Sequence, residues 1–170
     1  MKIKLRKIEP TDLPFLYLWE NDASSWADGS NHNPISQQDL RAYIESTTGD
    51  IYRDGQLRLI IEEVRSQKSE VSKQTLGCAD LFDFDARNRK AAIGLYVAPE
   101  ARGNGVGKAA IQALEEYAFT HLDLRLIYAV IATNNKACAE LFRALGYVPS
   151  SVLKAWTLES DAIIWQKQKK

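Results

Sequence analysis

The stretch Val97-Ala98-Pro99-Glu100-Ala101-Arg102-Gly103-Asn104-Gly105-Val106-Gly107 decides how the rest of the chain is read. It lies between an apolar run that ends at Val97 and a long helical pattern that starts near Gly105. Three glycines in five residues let a backbone come close to a ligand and turn its amides toward it, and a helix start adds partial positive charge at the same place. Together these features make a cradle for a pyrophosphate. The spacing excludes two familiar phosphate loops. A P-loop requires a glycine five residues before Gly107, where Arg102 stands, and a hydroxyl residue after Lys108, where Ala109 stands. A dinucleotide fingerprint begun at Gly103 requires a small residue where Lys108 sits, and it follows the first strand of its unit.

Outward from this loop the chain alternates strand and helix patterns. Residues 91–97 read as a strand stopped by Pro99, and the helix from about Gly105 carries Val106, Ala110, Ala113, Leu114 and Tyr117 on one side. Residues 126–132 are continuously apolar, as in a strand covered on both faces. A last helix is expected over 135–145 with Cys138, Leu141, Phe142 and Leu145 as its stripe, closed by Gly146 where a left-handed residue is wanted. Residues 147–158 and 162–165 supply final strands, and 166–170 read as a frayed tail. On the other side of the loop, residues 57–62 and 76–84 are strands separated by a polar hairpin loop over 65–74. Ser36 and Asp39 form a capping box before the stripe Leu40, Tyr43 and Ile44. Residues 19–33 read as a loop with exposed Trp19 and Trp26, a lid or mere packing. Before it Thr11 caps a helix whose Leu13, Leu16 and Tyr17 share a face, and Ile3 and Leu5 mark the first strand.

The 170 residues make room for a single domain, 1–170, that buries about 70% of its unfolded surface. Apolar residues at 45% and charged residues at 26% exclude a collagen-like or wholly disordered chain. Twenty-two basic against 22 acidic side chains leave no net field, so neither nucleic acid nor a membrane surface is expected as a partner. Cys78 and Cys138 form no CxxC, and His32 and His121 stand alone, so no disulfide framework and no metal site is indicated. The chain shows neither the apolar stretch of a signal peptide nor one long enough to span a bilayer, which makes the cytoplasm the expected compartment. The fold class is α/β (α+β).

Arg102-x-x-Gly105-x-Gly107, preceded by a strand and proline and followed by a helix, resembles the coenzyme A signature of the GNAT superfamily of N-acetyltransferases. The resemblance extends to Asn135 and the run Ala139-Glu140-Leu141-Phe142-Arg143-Ala144-Leu145-Gly146-Tyr147, similar to the family's N-x-x-S/A-x-x-L-Y-x-x-x-G-F segment. Upstream, residues 77–81, Asp83, Asp85 and residues 89–94 resemble the subgroup of ribosomal-protein N-terminal acetyltransferases and spermidine acetyltransferases. Essentially the whole chain is covered. The resemblance implies a mixed, mostly antiparallel central sheet with a parallel pair at the cofactor site, flanked by about four helices. It implies acetyl-CoA as co-substrate, its pyrophosphate held by the amides of Arg102, Gly103, Asn104, Gly105, Val106, Gly107 and Lys108. Leu95 to Val97 would pair with the pantetheine arm. An amide near Val97 would face the thioester oxygen, a contact worth about 2.7–4 kcal/mol. Asn135 would touch the cofactor, with simple helix capping as the alternative. The acceptor implied is a primary amine, either a small cationic amine such as a polyamine or a peptide N-terminus. The oligomeric state stays open, a homodimer included.

The pattern breaks at two positions. Direct transfer needs a neutral amine, and an amine of pKa about 10.4 is neutral at pH 7 in only about one molecule in a few thousand. Relatives use a carboxylate on the strand before the glycine loop, where Ala92 stands here, and Phe142 replaces the tyrosine that protonates the thiolate. A positioned acid or base is worth about 10²–10⁴ in rate, whereas holding the two reactants together supplies about 7–11 kcal/mol. A thiol of pKa about 8.5 also leaves without much help. Activity is therefore expected, from other groups. Tyr96, which shares strand parity with Ala92, and Asp83 carry the catalytic expectation. Tyr128 reads mainly as a core aromatic and Cys138 as a small buried residue; Asp80 and Asp85, with Asp83, either attract a cationic amine and pass its proton to water or form a polar strand end and turn, and His32 either reaches the substrate or is a plain loop histidine. The alternative reading is a non-catalytic acyl-CoA-binding module of the same fold.

Overall fold

Alternating apolar and charged residues at the N-terminus make the first edge strand. The structure is a computed structural model that describes residues 2–23, 33–64 and 74–170. The strands are β1 (Ile3–Lys7), β2 (Leu57–Glu63), β3 (Thr75–Asp85), β4 (Lys90–Val97), β5 (Leu126–Ala132), β6 (Val148–Leu153) and β7 (Ala162–Gln168). They form one sheet in the order β1-β2-β3-β4-β5-β7-β6. Every neighbouring pair is antiparallel except β4 and β5, which are parallel. This is the mixed, mostly antiparallel sheet with one parallel pair that the resemblance implied.

The helices are α1 (Leu13–Glu20), α2 (Gln37–Ser46), α3 (Ile51–Asp54), α4 (Val106–Glu116) and α5 (Lys136–Ala144). That makes five among the described residues, where about four were expected, since Asp50 caps a single extra turn that Gly55 ends at φ 72°. Strand parity divides the helices between two faces. Tyr96 of β4 meets Trp19 of α1, ring centroids 5.5 Å apart, and α2 packs beside α1. Its neighbours Leu95 and Val97 point to the opposite side, against Gly107 of α4 and Leu141 of α5. A strand whose successive residues meet different helices is covered on both sides there.

Several expectations change. Thr11 does not cap α1: Pro10–Asp12 is a 3₁₀ turn in which Glu9 and Asp12 cap reciprocally, and α1 follows directly. The buried residues of α1 are Leu16 and Trp19, three apart, while Tyr17 lies outside, so Trp19 belongs to the core and not to an exposed loop. Ser36 caps α2 as expected, its hydroxyl accepting from the Asp39 amide at 3.1 Å. In α4 it is Ile111 that is fully buried, with Ala113 at the margin. β5 is not covered on both faces: Ile127, Ala129 and Ile131 are buried, but Val130 is 40% exposed. The predicted strand over 147–158 is only β6. The predicted frayed tail is largely strand, since Gln166–Gln168 pair with β5 and the Lys169 amide donates to Arg125 O at 2.9 Å. Trp26, His32 and most of the polar loop over 65–74 lie outside the described residues. No helix among the described residues is long and apolar enough to cross a membrane.

Candidate active site

The glycine loop leaves β4 through a short 3₁₀ turn at Pro99–Ala101. Gly103 sits at φ 75° and Gly105 at φ 78°, left-handed conformations that favour glycine, and a Cβ on either would meet nothing within 4 Å. Gly107 serves differently: its Cβ would lie 3.3 Å from Leu95 and 3.4 Å from Leu141, so it lets α4 pack closely between strand and helix. The Arg102 amide already donates to Pro99 O at 3.3 Å, and the next amide to find a backbone acceptor is that of Ala109, on Gly105 O. The donors left to a ligand are therefore those of residues 103–108, one fewer than the sequence indicated. Amides without a backbone acceptor need other partners, and six in one turn at a helix start suit two linked phosphoryl groups. The Arg102 side chain turns back, its Nε donating to Val97 O at 2.9 Å and its guanidinium lying 5.9 Å from the Tyr96 ring. It braces the loop against the strand.

Beside the loop the sheet opens. β4 and β5 are bonded only at Lys90–Leu126, Ala91–Ile127 and Ala92–Tyr128. Past that rung the strands part, and residues 93–97 and 129–132 each keep an unpaired backbone edge toward the gap while their other edges remain paired to β3 and β7. An unpaired strand edge is a template for an extended, amide-bearing ligand. Leu95 and Val97 lie on that edge, between the apex of the gap and the glycine loop. Asn135 stands just beyond the end of β5, where its Oδ1 accepts from the Cys138 amide at 3.1 Å and caps α5.

The residues weighed for catalysis separate. Tyr96 is half-buried between Trp19 and Arg102, and burial together with the charge of Asp22 raises its phenol pKa against the opposing pull of Arg102. Asp83 lies further back along the sheet, near Ala92, where it accepts a hydrogen bond from the Tyr128 hydroxyl. The structure does not bring Tyr96 and Asp83 together. Asp80 is held by Arg58 through two bonds of 3.0 and 2.9 Å. Asp85 accepts from the Asn88 amide and side chain in the turn after β3, bonds that hold its carboxyl below the ordinary range. Phe142 is 2% exposed and packs edge-on to Tyr147, so it belongs to the core. Cys138 is half-buried on α5. Among the described residues no group of His, Cys, Asp and Glu gathers as a metal site requires.

Two arrangements escaped the sequence. Arg58, on β2, joins Asp80 of β3 and Glu20 of α1 into a cluster of two carboxylates and one guanidinium. Tyr128 stands on an open face, not in the core. Both depend on elements far apart in the chain and leave no local signal, although the alternation in β5 is visible once its uncovered face is known.

The chain matches the model of the acetyltransferase (GNAT) domain over residues 2–148. It is 24% identical over 147 residues to the spermidine N(1)-acetyltransferase of Vibrio cholerae, covering 86% of this chain and 79% of that protein. To the spermidine N(1)-acetyltransferase of Escherichia coli K12 it is 24% identical over 152 residues, covering 85% and 72%. Among solved structures, the Vibrio cholerae spermidine N-acetyltransferase in complex with CoA and spermine has the same fold, with a TM-score of 0.85 at 22% identity, covering 98% of this chain and 95% of that one. A dodecameric form of that enzyme gives 0.79 at 22% identity, covering 98% and 93%. The domain match takes in the parting strands, the glycine loop and both helices beside it, so this chain belongs to the GNAT acetyltransferase family, N-acetyltransferases that draw on acetyl-CoA.

Proposed function

We propose that this chain moves the acetyl group of acetyl-CoA onto a primary amine by direct attack, with a small cationic amine of the polyamine kind as first acceptor and a peptide N-terminus as second. One observation carries this reading: six unpartnered amides stand at the end of a strand whose free edge leads straight to the apex of a gap in the sheet. The amides of residues 103–108 would hold the pyrophosphate, and Leu95 to Val97 the pantetheine arm, with an amide near Val97 as oxyanion donor. Asn135, already fixed as a cap, would face the cofactor from the start of α5. Tyr96 and Asp83 are the side chains we assign to proton handling at the two ends of the gap. A cationic acceptor agrees with the exposed Asp83 and with the Glu20–Arg58–Asp80 cluster, whose carboxylates outnumber its guanidinium. It agrees also with the spermidine acetyltransferases among the relatives.

The chemistry needs little beyond position. Holding amine and thioester in contact supplies about 7–11 kcal/mol, more than a proton-transfer residue contributes. Ala92 and the buried Phe142 favour a second reading, an acyl-CoA-binding module without turnover. A single assay separates the two. Thiol release from acetyl-CoA is followed with spermidine, spermine, aminoglycosides and peptides with free N-termini, alongside calorimetry of acetyl-CoA binding. Transfer to at least one amine is expected; tight binding with no thiol release from any amine would instead establish the module.

A further inference from the structure

Ala92 is the smallest side chain in the row Phe82, Ala92, Tyr128, which the β3–β4 and β4–β5 ladders place side by side on one face of the sheet. Cross-strand neighbours lie about 4.5–5.5 Å apart, so a long residue at the middle position would separate the outer two. With alanine there, the Tyr128 hydroxyl reaches across and donates to the Asp83 carboxylate. Asp83 is aimed at it by a local irregularity. The β3–β4 register shifts between Phe82 and Asp85, and Asp83 takes φ 49°. Bulges of this kind re-aim side chains beside functional clefts, and aspartate tolerates the left-handed region better than most residues.

The position of the pair gives it a use. Ala92–Tyr128 is the last bonded rung before β4 and β5 part, so Tyr128 springs from the apex of the gap and its hydroxyl extends from there over Ala92 to Asp83. The surface around it is open, with Phe82 43% and Val130 40% exposed. An amine that approached the end of the gap across the face bearing Phe82, Ala92 and Tyr128 would come up to this side chain. Burial, with the hydrogen bond to Asp83 added, pushes the Tyr128 phenol up, so it keeps its proton at neutral pH and can pass one on.

We propose that Tyr128 and Asp83 act as one proton-accepting unit for the acetyl transfer proposed above, Tyr128 touching the amine and Asp83 holding the proton. The inference rests on that reading of the site. An ammonium N–H proton passes to Tyr128 Oη as the phenol's own proton passes to Asp83. The freed nitrogen lone pair forms the N–C bond, the C–S bond breaks, and a second N–H proton neutralises the departing sulfur. Asp83 then returns its proton to solvent. The products are an acetamide and a thiol, with one proton released for each ammonium consumed. The substitution of Ala92 for a carboxylate thus makes room for the carboxylate that reaches in from β3.

Tyr128→Phe, Asp83→Asn and the double variant test this. Phenylalanine keeps the ring, and asparagine accepts the left-handed backbone. With the best amine of the panel, each single change is expected to lower kcat by about 10²–10⁴. The double variant falls no further than the more impaired single one, while acetyl-CoA affinity by calorimetry and the melting temperature stay at the wild-type value. In the protein alone, labelled with ¹³C at the tyrosine ζ carbons, the signal that Tyr128→Phe removes should move in Asp83→Asn. An active wild type with either variant within threefold of it, losses that multiply, a loss carried by KM for acetyl-CoA, or an unmoved signal would each overturn the pair alone. An inert wild type would overturn the proposed transfer together with it.

Discussion

Gly105 holds its backbone at φ 78° with open space where a side chain would begin. A β-branched residue there is strained by about 1–2 kcal/mol and places its methyl groups in the mouth of the amide cradle. Gly105→Val should therefore abolish acetyl-CoA binding in a calorimetric titration while lowering the melting temperature by only about 2–8 °C; an unchanged affinity would refute the placement of the phosphates. The three glycines look alike in the sequence, yet they divide by cause, because Gly103 and Gly105 supply a turn and Gly107 supplies a close approach. That division was hidden, since it depends on Leu95 and Leu141, which only the fold brings to α4. Arg102, Gly105 and Gly107 were legible as a set; the bracing of the loop by Arg102 on Val97 and Tyr96 was not.

Beside β1 and β2 a charge cluster joins Lys4, Arg6, Asp12 and Glu62, in which the two acids are each 2% exposed while the Lys4 side chain is half-exposed. Burial alone would push the Glu62 carboxyl up, but its bonds from Lys4 and Arg6 outweigh that and hold it below the ordinary glutamate value. A carboxyl whose pKa is lower folded than unfolded adds stability that is complete above the unfolded value of about 4.3 and is lost as pH falls through the folded one. Glu62→Gln should then melt well below the wild type at neutral pH, and the difference should shrink as the buffer is taken from about pH 4.3 downward. A difference in melting temperature that stays constant across that acid range would contradict the assignment. At this scale the strands and the Ser36 cap were readable because their signals are local. The end of β7 was not: a polar run reads as tail, and only its pairing to β5, with Lys167 bound to Glu115 at 2.7 Å, makes it strand.

For the molecule as a whole, the decisive feature is where a ladder stops. A parallel pair bonded over three rungs and then parted creates two free edges inside a sheet, and the glycine loop that follows β4 carries six amides, residues 103–108, with no close backbone acceptor. The parallel pair was anticipated through the family resemblance, which reaches both sides of the loop, and not from the order of strands and helices by itself. What could not be read was which groups face the apex. Ala92 and Phe142 advertise missing helpers, whereas the meeting of Asp83 and Tyr128 depends on a register shift in one strand and a small residue in the next. The central claim is that this opening is filled by an acylated coenzyme held through main-chain amides, and a crystal structure with acetyl-CoA tests it most directly. The account predicts phosphate oxygens within hydrogen-bonding distance of the amides of residues 103–108 and the arm lying along Leu95 to Val97 with its thioester at the apex beside Tyr128. Acetyl-CoA bound elsewhere on the chain, with the edge of β4 and the glycine loop left bare, would contradict it.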